Sequence, residues 1–212
     1  MTTAASALLA LAVLAAVVDW FAVVRVRKPL EYLCKPLVTM SLVAVAATLD
    51  PRSSDQRLAF VIALVLSLAG DVALMLPSDR FVVGLGAFLL AHAAYIVGFA
   101  IVGGCTGEYA IGVAAVATLA VPLAARYIGA LRRAGRRELL VPVLLYVGAI
   151  SVMVASAIAV GNALAIVGAS LFFVSDSLIA ETRFVGPRSW GALAVIVTYH
   201  LAQVSLVLSL LP

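Results

Sequence analysis

Eight continuously apolar segments, at roughly 3–24, 34–49, 58–76, 82–102, 109–130, 139–158, 162–181 and 189–210, take up most of this 212-residue chain. Few folds accept that pattern. Apolar runs of about 20 residues match the hydrocarbon thickness of a bilayer as helices. There, backbone groups find no water and must be paired within helices or closed barrels. A barrel strand alternates polarity over about 10 residues, and these runs do not alternate. The expected fold class is all-α: a polytopic integral membrane protein with eight transmembrane helices. Composition agrees, with 65% hydrophobic and only 11% charged residues. A soluble domain carries about 25% charged residues, so this chain has too little polar surface to coat a water-exposed globule.

The segments are separated by RVRKPLEY, DPRSSDQR, PSDR, GGCTGE, RRAGRRE, GN and ETRFVGPR. Loops this short leave no room for a soluble domain, so residues 1–212 read as a single transmembrane domain. The first segment lacks the basic flank of a signal peptide, and the RVRK after it resembles a stop signal, so it is taken as the first helix. The second segment is short, and Pro36 fits its first turn better than its interior.

Basic residues fix the expected orientation. Loops 1–2, 3–4, 5–6 and 7–8 carry Arg25, Arg27, Lys28, Arg80, Arg132, Arg133, Arg136, Arg137, Arg183 and Arg188, against Arg52 and Arg57 on the other side. Both termini are therefore expected outside the cytoplasm of a bacterial inner membrane. The net charge of +4 follows from these helix ends, so no nucleic-acid partner is expected. Cys34 and Cys105 fall on opposite faces and are read as unpaired. A weak internal repeat, LSLAGDVALMLPSDRFVVG against SLFFVSDSLIAETRFVG, suggests two parallel four-helix halves, a 4+4 pseudo-repeat.

Two carboxylates lie inside the apolar runs, Asp71 in the third and Asp176 in the seventh, 105 residues apart. An ionisable group within a membrane helix is costly and by default marks a functional site. Counted from the predicted helix ends, both lie roughly 8 Å below the cytoplasmic boundary, with Asp19 and Lys35 in the same layer. His92 and His200 are expected at about 18 Å, some 10 Å deeper than the aspartates. Helical spacing puts Phe88, His92, Tyr95 and Phe99 on one stripe, and Ile196, Tyr199, His200 and Gln203 on another; Tyr146 adds a hydroxyl. The result is a polar pocket open to the cytoplasmic leaflet that deepens into an aromatic interior, a shape suited to a lipid.

Several short motifs resemble those of the YhhN family. They are Lys35-Pro36, Gly70-Asp71, Gly84…Phe88…His92…Tyr95, Gly168-Ala169…Leu171-Phe172…Ser175-Asp176 and Tyr199…Ala202-Gln203, in order from about residue 30 to the end. His200 departs from the family pattern, in which an aromatic residue, usually Tyr, follows Tyr199. The resemblance implies eight spans and, from animal and some bacterial members, lysoplasmalogenase activity. Such enzymes hydrolyse the vinyl ether bond of lysoplasmalogens to a fatty aldehyde and a glycerophospho-ethanolamine or -choline.

That reaction needs a general acid for the alkene carbon, a carboxylate to stabilise the oxocarbenium ion and a base for water. Asp71 and Asp176 are the expected catalytic pair, one protonated and one ionised, titrating as a unit. The expected substrate-binding residues are Lys35 for phosphate, His92, Tyr95, Tyr146, Tyr199 and Asp19. The expected partners are a membrane lysophospholipid and the bilayer itself. No cofactor or metal is expected, because no HxxxH pair or histidine triad occurs and the histidines are placed deeper than the aspartates. The alternative function is a lipid-binding protein or small transporter using the same pocket.

Overall fold

A computed structural model describes residues 1–76 and 80–211; Pro77-Ser78-Asp79, in the predicted third turn, and Pro212 lie outside the described residues. Eight long helices cover the apolar runs: α1 (Thr3–Val24), α2 (Lys28–Thr48), α3 (Ser54–Met75), α4 (Phe81–Val102), α5 (Thr106–Arg133), α6 (Leu140–Val160), α7 (Ala163–Ala180) and α8 (Gly191–Leu208). Each is long and apolar enough to cross a membrane. Side-chain caps start three of them. Thr2 accepts from the Ala5 amide, Ser53 from Gln56 and Asn162 from Ala165, satisfying donors that the first helical turn leaves open.

Several boundaries differ from the expected ones, among them those of α2, α3 and α5. α2 starts at Lys28 with Pro29 in its first turn, and Pro36 lies inside the helix. The charged stretch forms the first turns of the helix instead of a loop, with a Lys28–Glu31 pair at 2.7 Å on its surface. α5 continues to Arg133; its 28 residues span about 42 Å, more than the ~30 Å hydrocarbon core, so its basic end projects beyond the apolar layer. A second departure is a π-helical turn, Glu181–Val185, continuing α7.

Sequential helices pair as hairpins, α1 with α2, α3 with α4, α5 with α6 and α7 with α8. Across the halves, α4 packs on α6 and α8 packs on α2, the same relation with the halves exchanged. Two glycines permit the close approaches. A Cβ at Gly168 would lie 2.8 Å from Leu206 Cγ and 3.0 Å from the Ala202 carbonyl, and one at Gly70 would lie 2.6 Å from the Phe88 ring. Small residues at such contacts let membrane helices approach backbone to backbone. Gly70 thereby brings the turn of α3 that carries Asp71 against α4.

Candidate active site

Asp71 lies at the meeting point of α2, α3 and α8. Its Oδ2 accepts from the Tyr199 hydroxyl at 2.7 Å and from Thr39 at 3.1 Å, and its Oδ1 lies 3.2 Å from Lys35 Nζ. Thr39 stands one turn beyond Lys35, so α2 presents both on one face. The donors continue inward: Gln203 Nε2 donates to the Tyr199 oxygen at 3.2 Å, and the Tyr95 hydroxyl donates to Gln203 Oε1 at 2.5 Å. Tyr95, Gln203, Tyr199 and Asp71 are all buried, so each polar atom depends on this chain for its partner.

Asp176 sits between α4, α6 and α7 in different company. The Tyr146 hydroxyl donates to its Oδ2 at 2.5 Å, and His92 Nε2 lies 3.5 Å from the same oxygen. The two clusters mirror the exchanged packing: each aspartate is met from the preceding helix, by Lys35 and Thr39 or by Tyr146, and from the last helix of the other half, by Tyr199 or His92. Between them stands Phe172, whose ring is 4.8 Å from His92, 5.5 Å from Tyr199 and 6.1 Å from Phe88, centre to centre. Among the described residues, no hydrogen bond joins Asp71 to Asp176.

The structure corrects the expected depth of the histidines. His92 does not lie far below Asp176 but 3.5 Å from it, and His200 Nε2 is 4.0 Å from Asp19 Oδ2. Two causes act together. The π-helical turn continues α7 to Val185, which puts Asp176 about 14 Å from that end, close to the ~17 Å of His92 from the start of α4. Side chains also lean toward helix N-termini, so His92 on α4 and Asp176 on α7, running in opposite directions, lean toward each other. Depth therefore does not separate imidazole from carboxylate, although among the described residues no three His, Cys, Asp or Glu side chains converge as a metal-binding group.

Asp19 is fully buried and has no hydrogen-bond partner among the described residues. His200 accepts from Trp20 Nε1 at 3.1 Å through Nδ1, which leaves Nε2 as the protonated nitrogen facing Asp19. This group on α1 and α8 shares no hydrogen bond with the Asp71 cluster among the described residues, but the charges of Lys35 and Asp71 lie close enough to act on Asp19. Of the expected site residues, Lys35, Tyr199 and, through Gln203, Tyr95 join Asp71; His92 and Tyr146 join Asp176; Asp19 joins neither by a hydrogen bond. Both cysteines are free, Cys34 buried and Cys105 exposed.

Two openings reach the clusters from different directions. A vestibule of about 1020 Å³ between α1, α2 and the start of α8 is lined by Glu31, Lys35, Thr182, Arg188 and Trp190, with Asp71 buried behind Lys35. A narrow cleft of about 50 Å³ among α4, α5, α6 and α7 is lined by Leu85, Phe88, Val147, Ile150 and Phe173, with Tyr146 and Asp176 in its wall. Thr39 and a surface ion cluster escaped sequence reasoning. Arg126 binds Glu181 through two bonds, 2.9 and 2.7 Å, and Arg188 binds the same carboxylate at 3.0 Å. Arg126 was hidden in an apolar run, and its only signal was a charge one turn before the predicted end of α5.

Fold and site thus define an integral membrane protein of eight helices with a buried acid–hydroxyl cluster. The chain belongs to the YhhN family, whose model matches residues 30–210. It is similar to proteins named lysoplasmalogenase from Mycobacterium bovis and Mycobacterium tuberculosis, each 34% identical over 167 residues. Those alignments cover 77% of this chain, which spans 64% of the length of the relatives. No solved structure matches.

Proposed function

We propose that the chain is a single membrane domain with lysoplasmalogenase-type activity, hydrolysing the vinyl ether bond of a lysophospholipid from the cytoplasmic leaflet, with both termini extracytoplasmic. The observation that carries the chemistry is the unequal company of the two aspartates. Asp71 faces an ammonium and two hydroxyl donors, which together stabilise a carboxylate. Asp176 faces the Tyr146 hydroxyl and the His92 imidazole, pairs with no Lys or Arg among the described residues, and adjoins an apolar cleft, where a neutral carboxylic acid is the less costly form. This division supports Asp176 as the general acid and Asp71 as the anion. The similarity to the mycobacterial proteins supports the substrate class.

In this reading the headgroup rests in the vestibule, the alkenyl chain enters the cleft, and the vinyl ether lies where the two spaces adjoin at Phe81 and Ile179, about one turn from Asp176. Asp176 gives its proton to the alkene carbon distal to oxygen, and the electron pair of the double bond forms that C–H bond. The resulting oxocarbenium ion is stabilised by the Asp71 carboxylate. Water adds to the cationic carbon, and its proton returns to the Asp176 carboxylate. The hemiacetal then breaks its C–O bond: Asp176 gives its proton to the departing glycerol oxygen, the hemiacetal hydroxyl gives its proton back to Asp176 through water, and the aldehyde and the headgroup fragment with its free hydroxyl are released. Lys35 holds Asp71 ionised and meets the phosphate from the vestibule.

The test is aldehyde release from lysoplasmenylethanolamine by the purified protein in detergent. Wild type is expected to be active, and Asp71→Asn and Asp176→Asn to lose at least ~10³-fold in kcat while keeping the wild-type melting profile within a few degrees. Near-wild-type turnover by either variant refutes the paired-aspartate mechanism. Turnover in detergent, where no gradient exists, also separates hydrolysis from transport.

A further inference from the structure

The vestibule and the cleft are distinct spaces, yet two residues line both: Phe81 and Ile179. Phe81 is the first residue of α4, and its side chain is largely buried. Its ring is held from one direction by the π-helical turn. Phe184 meets it edge-on at 5.7 Å, and the Arg183 guanidinium lies 4.9 Å over its face. Phe184 in turn packs on Tyr127 at 6.3 Å, whose hydroxyl donates to the Ser177 carbonyl. Glu181 opens the same turn and is tied to Arg126 and Arg188. A π turn is an uncommon conformation that concentrates at functional sites. Here it sets where Phe184 and Arg183 stand, and so where the Phe81 ring stands.

We propose that Phe81, together with Ile179, is the partition between the vestibule and the apolar cleft, and that it selects substrates by the width of the chain next to the bond cleaved. The substrate part rests on the lipid-hydrolase reading above; the partition itself does not. A molecule with its polar end beside Lys35 and its chain beside Asp176 has to pass between these two side chains. An unbranched chain needs only a small rotation of the Phe81 ring. A chain branched close to the reacting bond needs the ring displaced from Phe184 and Arg183, which the clamped turn resists.

The experiment has two arms. In a Cys34→Ala, Cys105→Ser background, Ile150→Cys puts a thiol in the cleft, and a charged methanethiosulfonate reagent measures access from water. Phe81→Ala and the milder Phe81→Leu are expected to raise the modification rate, Phe81→Ala by at least tenfold, and Phe81→Trp to lower it. Equal rates across the series overturn the partition. In the second arm, Phe81→Ala is expected to raise kcat/KM for a chain-branched lysoplasmenylethanolamine relative to the straight-chain lipid by at least tenfold; an unchanged ratio overturns the selectivity. If wild type cleaves neither lipid, the hydrolase reading fails by itself, and the modification rates still decide the partition.

Discussion

Removing the Lys35 ammonium tests the electrostatics of the site. Its Nζ lies 3.2 Å from Asp71 Oδ1, with the side chains 16% and 1% exposed. Breaking a buried pair by deleting one partner costs about 3–5 kcal/mol, because the remaining charge is stranded. Asp71 would keep its Tyr199 and Thr39 donors, and Lys35 borders the vestibule, so Lys35→Met is placed at the low end, about 3 kcal/mol. For a chain of this length, that corresponds to roughly 6–12 °C in Tm. Asp71→Asn should cost less, about 1–2 kcal/mol, since the freed ammonium can reach toward the vestibule. The double variant Lys35→Met/Asp71→Asn leaves no stranded charge. Its loss should fall short of the sum of the single losses by at least ~2 kcal/mol. Thermal and denaturant unfolding of the four proteins in one detergent measures the cycle. Additivity within about 0.5 kcal/mol would refute the claim that Lys35 and Asp71 act as a buried pair, and with it the role of Asp71 as the stabilised anion.

Three further outcomes are expected. Tyr95→Phe keeps the ring but leaves the buried Gln203 Oε1 without its donor, costing about 1–3 kcal/mol and lowering kcat more than it raises KM; unaltered stability would mean the donor chain is dispensable. Gly168→Val places a side chain against Leu206 and the Ala202 carbonyl, and should cost about 1–3 kcal/mol by overpacking, read as a lower Tm. Glu181→Gln weakens both arginine contacts at a solvent-facing end, so its stability cost should stay below about 1 kcal/mol and shrink further in high salt.

Lys35, Thr39, Asp71 and Tyr199 illustrate how much of the site was legible. Asp71 and Lys35 announce themselves as charges in apolar runs, and Tyr199 by its place on a helical stripe. Thr39 does not, because a threonine in a membrane helix usually bonds its own backbone, as Thr48 and Thr198 do here. Only the facing carboxylate of α3 turns Thr39 outward from α2. Gln203 was visible on the same stripe as Tyr199, but its bond to Tyr95 on another helix was not. The histidine depths failed for a related reason: counting residues treats helices as vertical rods with side chains at Cα height, and neither the π turn nor the opposed side-chain leans enter that count.

What the sequence by itself determined is the number of spans and the residues too polar for lipid, with the sidedness of the basic loops as its expectation for orientation. These follow from the thickness and dielectric of the bilayer, which act on every residue independently of its neighbours. Tertiary structure decided which polar groups meet: Asp71 with Lys35, Thr39 and Tyr199, Asp176 with Tyr146 and His92, and His200 with Trp20 and Asp19. Those pairings depend on helix rotation, close approach at Gly70 and Gly168, and a π turn that re-registers α7. All three are properties of packed surfaces rather than of spacing along one helix.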